Sequence, residues 1–418
     1  MAGEWSEASL GELFKVKHGF AFKGEYFTDE PQETVLVTPG NFAIGGGFQD
    51  GKRKYYRGPV PQDYVLKPDQ IVVTMTDLSK ESDTLGYAAS VPHDDMVWLH
   101  NQRIGLLEFN HDMPTSPRFI QYLLRTHEYR SWIVGSATGT TVKHTSPGRI
   151  ESFITRIPPI EEQRAIAHIL GTLDDKIELN RRMNQTLEAM ARALFKSWFV
   201  DFDGVPAEDM QESELGLIPK GWRVASLDQI AHYLNGLALQ KFPPESETEF
   251  LPVIKIAQLR AGHTNGSDKA SARLKPEYIV EDGDVLFSWS GSLEVEVWTG
   301  GRGALNQHLF KVTSHEVPKW FYYHATRQHL QDFRAIAAGK ATTMGHIQRG
   351  HLTAAKVAVP PPDEMAKFDA VIAPLFEQTI SNALQSGTLA NLRDTLLPKL
   401  ISGELRMKNT EYLENVLA

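Results

Sequence analysis

One stretch of this chain occurs twice, and the duplication limits what it can fold into more than any other feature. Trp5-Ser-Glu-Ala-Ser-Leu10 returns as Trp222-Arg-Val-Ala-Ser-Leu227, 217 positions on, and at the same shift Gly19-Phe-Ala-Phe22 meets Gly236-Leu-Ala-Leu239. Gln70-Ile-Val-Val-Thr-Met-Thr76 resembles Asp284-Val-Leu-Phe-Ser-Trp-Ser290 at a shift of 214, and Asn101-Gln102 matches Asn306-Gln307 at 205. Thr140-Thr141, His144, Ile150, Pro158-Pro159 and Glu161-Glu162 match Thr342-Thr343, His346, Leu352, Pro360-Pro361 and Asp363-Glu364 at 202. The order is kept and the shift only drifts, as small loop insertions and deletions produce. The interiors diverge, and 45–64 has no counterpart. Two domains with one fold and different targets give that pattern; so does drift after duplication.

Each half reads as mixed α/β. Short β-rich runs (Thr34–Thr38, Ile71–Met75, Val285–Trp289) are bounded by Gly, Pro and Asp, and helices are predicted over Pro117–Arg130 and Lys319–Ala338, each with Pro at its start. After each Pro-Pro the period changes. Ile166, Leu170, Leu173, Ile177, Asn180, Asn184, Leu187, Ala191, Leu194 and Trp198 alternate steps of four and three, an a/d seam. Glu161 and Glu162 suit a helix N-terminus. Moving the seam by 202 gives Phe368, Ile372, Leu375, Thr379, Asn382, Ser386, Leu389, Arg393, Leu396 and Leu400; Arg393 is the poor fit, with Leu392 as its substitute. Asn180 and Asn382 are equivalent, and a polar residue in a seam fixes register at a cost in stability. A helix over 160–200 is roughly 60 Å long, too long for a domain of about 150 residues to cover, so the two helices are expected to pack on each other, antiparallel if a pseudo-twofold axis relates the halves. The expected fold is therefore α+β, two mixed α/β domains each followed by a long helix, the helices pairing as an antiparallel coiled coil with pseudo-twofold symmetry. The boundaries are a first domain 1–157, a helix 158–202, an acid-, Gly- and Pro-rich linker 203–218, a second domain 219–359, a helix 360–405 and a tail 406–418.

The parts of an enzyme are missing. Gly339-Lys340 is followed by Ala341, with Arg at 334, so there is no phosphate-binding P-loop; Gly45-Gly-Gly47 is not a dinucleotide fingerprint. No Asn-Pro-Pro-Tyr/Phe or Asp-Pro-Pro-Tyr motif for amino-methyl transfer occurs, and no GxSxG elbow. Asp174-Asp175-Lys176 has the look of a nuclease remnant but sits on a helix without a partner acid, which favours a structural role. With no cysteine, thiolate metal sites and disulfides are excluded, and no metal-ligand spacing of His occurs. No apolar run reaches membrane-spanning length and no leader is evident, so the expected compartment is the cytoplasm and no membrane partner is expected. The formal charge of −9 argues against wholesale coating of DNA but leaves local reading open.

The run Ile154-Thr-Arg-Ile-Pro-Pro-Ile-Glu-Glu-Gln-Arg-Ala-Ile-Ala-His-Ile-Leu-Gly-Thr-Leu-Asp-Asp-Lys-Ile-Glu-Leu-Asn180 resembles the conserved region of specificity (S) subunits of type I restriction-modification enzymes. So do Leu194-Phe-Lys-Ser-Trp-Phe-Val-Asp-Phe202, Glu214-Leu-Gly-Leu-Ile-Pro-Lys-Gly-Trp222 and Leu396-Leu-Pro-Lys-Leu-Ile-Ser-Gly-Glu-Leu405. The resemblance spans the whole chain. It departs most at Met365-Ala-Lys-Phe368, where the first copy has Gln163-Arg-Ala-Ile166. It implies that each globular half is a target recognition domain reading one half of a split site in double-stranded DNA, and that the paired helices set the gap. It implies two methyltransferase (M) subunits carrying S-adenosylmethionine and the adenine chemistry, with room for restriction (R) subunits that use ATP and Mg, and no cofactor on this chain.

Residues that read base edges or phosphates are basic, amide or hydroxyl-bearing. One candidate set is Lys52, Arg53, Lys54, Tyr55, Tyr56 and Arg57, a basic and aromatic segment within the divergent interior; a solvated loop is the competing reading. The other is Thr140, Thr141, Lys143 and His144, echoed by Thr342, Thr343 and His346, whose recurrence suits phosphate or scaffold better than base choice. Asn101-Gln102 and Asn306-Gln307 suit structural hydrogen bonding, and the turn at 17–22 with its counterpart at 235–239 suits framework. A scaffold of two coiled-coil domains with no nucleic-acid role is the alternative to a DNA-recognition subunit, supported by the negative charge and the divergent interiors.

Overall fold

A computed structural model describes residues 4–51, 53–77, 79, 82–339 and 345–407. The described residues pack as two units, one within Met1–Asp175 and Ala390–Ala418 and the other Lys176–Leu389. The boundaries fall inside the two long helices, Ile160–Lys196 and Pro362–Ser402.

In the first unit a four-stranded antiparallel sheet runs in the order Phe14–His18, Ile104–Phe109, Ile71–Thr74, Ala88–Ser90. The strand Ile71–Thr74 is buried along its whole length because both of its faces are covered. Ile71 and Val73 pack with Phe119, Ile120, Ile166 and Leu170, while Val72 packs with Val35 and Trp98. A second sheet, ordered Phe27–Thr28, Lys54–Tyr56, Thr34–Leu36, Val97–Leu99, supplies that other face and contains one parallel pair. The strands Ser6–Ser9 and Ile154–Ile157 pair across the domain and lead into the first long helix.

The second unit repeats the plan. His232–Asn235, Leu309–Thr313, Val285–Ser288 and Val295–Val297 form the equivalent antiparallel sheet, and Leu251–Ile254 lies parallel to Gly303–Leu305 in the other. Val285 and Phe287 face the core that holds Phe195, Phe199 and Phe321, and Leu286 faces Ile254 and Trp298. Arg223–Ser226 pairs with Lys356–Val359 as the strands at 6–9 and 154–157 do. The duplication therefore extends to the strand order and register of the central sheet, while the second sheets share the parallel pair but differ in their edge strands.

The repeated tryptophans are anchors. Trp5 donates its indole N–H to Glu162 Oε2 at 3.0 Å, and Trp222 donates to Glu364 Oε2 at 2.8 Å. Each ties the start of a domain to the first turn of a long helix, where a carboxylate also faces the helix dipole.

Within each unit the long helices run antiparallel. In the first unit Asp174 meets Arg393 and Glu162 meets Arg406 just beyond the end of the second helix, so ascending numbers on the first helix face descending numbers on the second. Ile166, Leu170 and Leu173 are buried beside Leu397, Leu400 and Ile401, with Leu396 half-buried. In the second unit Ile177, Asn184, Leu187 and Leu194 are half-buried and Asn180, Ala191 and Phe195 buried; on the opposing helix Ile372 and Asn382 are buried and Phe368, Leu375 and Leu389 half-buried. The seam stands with one correction. Leu392 does not replace Arg393: it is 46% exposed, and Arg393 keeps the seam position because Asp174 neutralises it.

Three local expectations change. The helices predicted over Pro117–Arg130 and Lys319–Ala338 are each two: Pro117–Leu123 and His127–Gly135, then Lys319–Gln328 and Leu330–Ala338. Thr126 caps the second member of the first pair through its side chain, and His329, bound to the Lys356 carbonyl at 3.0 Å, sits at the break in the second. The stretch read as linker carries a hairpin, Met210–Ser213 with Gly216–Pro219, turned at a left-handed Gly216 and held by buried Ile218. Arg406 and Met407, placed in the tail, bind the Glu162 carboxylate. Among the described residues no helix is long and apolar enough to cross a membrane.

Candidate nucleic-acid interface

The two predicted candidate clusters have different fates. In the first, Tyr56 is 2% exposed and packs against Phe22, Tyr26 and Phe27, so it is a core aromatic and cannot reach a base. Its neighbour Tyr55 registers the strand against Val35. Arg53 is held by Asp50 through two hydrogen bonds of 3.0 Å, and that pairing raises its pKa. Lys54 lies 4.1 Å over the Phe27 ring with its face exposed, and Arg57 is exposed with its backbone bound to Tyr26. The segment thus leaves Lys54 and Arg57 as outward cations on a sheet rather than a basic loop. Lys52 lies outside the described residues.

The second cluster is a loop clasped to the end of the central sheet strand. Lys143 and His144 pair with Thr76 and Asp77, and His144 Nδ1 lies 3.2 Å from Thr76 Oγ1; Thr140 and Thr141 stand exposed beside them. In the second unit His346 bridges Ser290, the residue equivalent to Thr76. Thr342 and Thr343 lie outside the described residues.

Around these clasps the backbone repeats bond for bond. The Met75 N–H donates to the Arg103 carbonyl at 2.9 Å, as Trp289 does to His308 at 3.4 Å. Thr145 donates to Met75, as Ile347 does to Trp289, both at 3.0 Å; Gln102 donates to Phe20, as Gln307 does to Leu237, both at 2.9 Å. Gly19 and Gly236 close the frame. A Cβ there would stand 2.0 Å from the Asn101 carbonyl oxygen and 2.2 Å from that of Asn306, so only glycine admits the approach. Asn101 and Asn306 accept backbone N–H bonds from Arg103 and His308 through their side chains, which is the structural role expected of them.

The surface on this frame is polar and aromatic. In the first unit His18, Gln102 and Arg103 are exposed. In the second, Trp289 donates its indole N–H to Asn235 Oδ1 at 3.0 Å, its ring centroid lies 5.8 Å from His308 and 6.2 Å from His346, and His308 Nδ1 is 3.0 Å from Ser290 Oγ. Sequence reasoning passed over Met75, Arg103, Trp289 and His308. The alignment at shifts of 214 and 205 contains these positions but does not single them out, since other matched positions such as Val73 and Phe287 differ as well.

The helices carry a second polar site. Asp174 accepts from Arg125 Nη1 at 2.9 Å, Arg393 Nη1 at 2.7 Å and the Tyr122 hydroxyl at 2.8 Å. Burial alone would raise its pKa; the two guanidiniums and the phenol outweigh that and hold it below the ordinary carboxylate value. Asp175 pairs with Arg118. The two aspartates of the Asp-Asp-Lys sequence are thereby accounted for as structure. In the second unit, Asn180 Nδ2 reaches Ser386 Oγ at 3.2 Å and Asn382 Nδ2 reaches Asn184 Oδ1 at 2.9 Å. These bonds are mates: each residue of one is 202 positions from its equivalent in the other, so the helix pair has local twofold character.

A duplicated mixed domain with a self-complementary pair of long helices defines a class of protein built to present two like surfaces. The chain belongs to the family of the type I restriction modification DNA specificity domain, whose model matches it twice, over residues 2–189 and 219–393. It is 28% identical over 302 residues to a type I restriction enzyme MjaIX specificity subunit of Methanocaldococcus jannaschii, covering 69% of each chain. It is 25% identical over 364 residues to the HindI specificity subunit of Haemophilus influenzae, covering 69% of this chain and 77% of that one. In fold it matches the crystal structure of a type I restriction-modification S subunit from M. genitalium with a TM-score of 0.53 at 15% identity, covering 95% of this chain and 96% of the other.

Proposed function

We propose that this chain selects the DNA sequence for a type I restriction-modification complex. Each globular domain reads one half-site in double-stranded DNA, and the paired helices set the gap between them. The chain directs adenine methylation by two M subunits, which bring S-adenosylmethionine, and restriction by R subunits, which bring ATP and Mg. It carries no cofactor and no catalytic group of its own, and it works in the cytoplasm.

The observation that carries this reading is the double family match on a chain whose two units share one strand order in the central sheet and one backbone frame. Duplicated readers on a helical spacer give a bipartite target whose gap is a geometric quantity. One added helical turn is about 5.4 Å, against about 3.4 Å per base pair. A scaffold without a nucleic-acid role would not need exposed His18, Gln102 and Arg103 on one frame and an exposed Asn235 beside half-buried Gln307 and His308 on the other.

The test is to mix the chain with its M subunit and S-adenosylmethionine and to map methylated adenines on random DNA. A bipartite motif is expected. An active M subunit that gives no motif in the presence of this chain overturns the reading, and methylation by the chain alone would make it an enzyme instead.

A further inference from the structure

The repeated frame separates what is kept from what is exchanged. Three matched positions keep their chemistry: Gln102 with Gln307, Thr76 with Ser290, and His144 with His346. Three matched positions exchange it: His18 with Asn235, Met75 with Trp289, and Arg103 with His308. The exchange is not a consequence of backbone change, because the main-chain bonds of Met75, Arg103, Trp289 and His308 are the same in both units. Nor does core packing account for all of it. His18, Arg103 and Asn235 are exposed, and the Arg103 guanidinium has no ion-pair or hydrogen-bond partner among the described residues.

We propose that positions 18 and 103 in the first unit and 235, 289 and 308 in the second determine which bases each half-site must carry, the counterpart of Trp289 in the first unit, Met75, being buried in the core. The kept glutamine and histidine contact the sugar-phosphate backbone, while the kept hydroxyl of Thr76 and Ser290, buried in both units, holds the strand in place. The inference rests on the proposed reading of the chain as a DNA-recognition subunit and assigns its specificity to five side chains.

The chemistry differs in the direction that two distinct targets require. Arg103 offers a planar pair of donors suited to the O6 and N7 acceptors of guanine in the major groove. His308 offers a single ring edge, one nitrogen facing Ser290 Oγ and the other 3.3 Å from Gln307 Nε2, and so forms a fixed polar edge in place of a fork. Asn235 keeps its amide N–H groups for a base while Trp289 holds its oxygen, which sets the amide orientation. Trp289 adds an aromatic face where Met75 presents only a buried thioether.

The experiment is methylation mapping with the M subunit and S-adenosylmethionine, using the full chain. Transplanting the first set into the second unit (Asn235→His, Trp289→Met, His308→Arg) is expected to change base preference in one half-site while the other half-site and the gap stay as in wild type. Arg103→Ala is expected to relax selection at one position of the other half-site by about tenfold or more. The single exposed substitutions Arg103→Ala and Asn235→Ala guard against misfolding of the triple variant, since neither side chain is buried. If both single variants retain the wild-type motif at both half-sites, the proposal is overturned, whatever the triple variant does. A change in both half-sites at once, or in the gap, overturns it as well. If wild type itself gives no bipartite motif, the failure lies with the DNA-recognition reading and not with the choice of residues.

Discussion

Arg393 and Asp174 meet at 2.7 Å between the two long helices, at the one seam position where the heptad pattern places a cation among apolar residues. Asp174 is shared with Arg125, whose side chain is 4% exposed, and with the Tyr122 hydroxyl. The network joins both helices to the Pro117–Leu123 helix region of the first unit. Its two ends are unequal: Arg393 can be removed and leave Asp174 paired, whereas removing Asp174 strands Arg125 in the interior.

Arg393→Met is therefore expected to cost about 2–3 kcal/mol, the worth of a hydrogen bond to a charged group, and Asp174→Ala about 3–5 kcal/mol. Urea denaturation of the full chain measures both. Equal costs for the two variants would refute the asymmetry.

The amide cluster predicts non-additivity. Asn382→Leu leaves the side-chain amides of Asn184 and Gln378 without their partner and is expected to cost about 1–3 kcal/mol. Replacing Asn180, Asn184 and Asn382 together with leucine removes the three buried or half-buried amides as a set, leaves exposed Gln378 to water, and is expected to be closer to neutral, at the expense of register. The readouts are a denaturation series and, for register, the length of the gap in the methylation motif.

Gly19→Ala and Gly236→Ala are expected to be severely destabilising, since each Cβ would meet a backbone carbonyl that belongs to the frame itself. Each should weaken selection at one half-site and leave the other intact. Variants that melt like wild type and keep the full motif would show that the two frames tolerate opening.

Half-buried Glu296 and buried His324 of the second unit set opposite pH dependences. Burial, against the nearby Arg327 and with Glu188 adding to it, pushes Glu296 up to about 7, and burial together with Arg327 and Arg192 pushes His324 down to about 3. Native Glu296 holds a proton that the unfolded chain has lost, so its effect is to lower stability as pH rises from about 4.5 to about 7, and the loss persists above 7. Native His324 stays neutral, so its effect is to lower stability as pH falls from about 6.5 toward 3. Glu296→Gln is expected to melt above wild type at pH 8 and to lose that advantage near pH 4.5, as followed by thermal unfolding across pH. His324→Phe should lose less stability than wild type between pH 7 and pH 5.

The repeat, the heptad seam and the equivalence of Asn180 with Asn382 were legible because each is a pattern along the chain: periodicity and matched spacing follow from local geometry alone. The DNA candidates were less legible. The Lys52–Arg57 run was attractive by composition, yet Tyr56 belongs to an aromatic core that only the tertiary fold assembles, and Arg53 is taken up by its near neighbour Asp50. Arg103 and Trp289 carry no motif, being single residues beside kept ones.

By itself the sequence determined the duplication, the two long helices and the family, since heptads, capping residues and quoted signatures are readable one residue after another. The tertiary structure decided where charge and aromatic surface come together. Arg393 is accepted in the seam because it meets Asp174, a carboxylate on which Arg125 and Tyr122 also converge, across residues up to 271 positions apart, and a neutralised charge costs far less to bury than a lone one. The frame around Gly19 and Gly236 likewise depends on main-chain bonds between distant strands, and with it the surface on which the two halves differ.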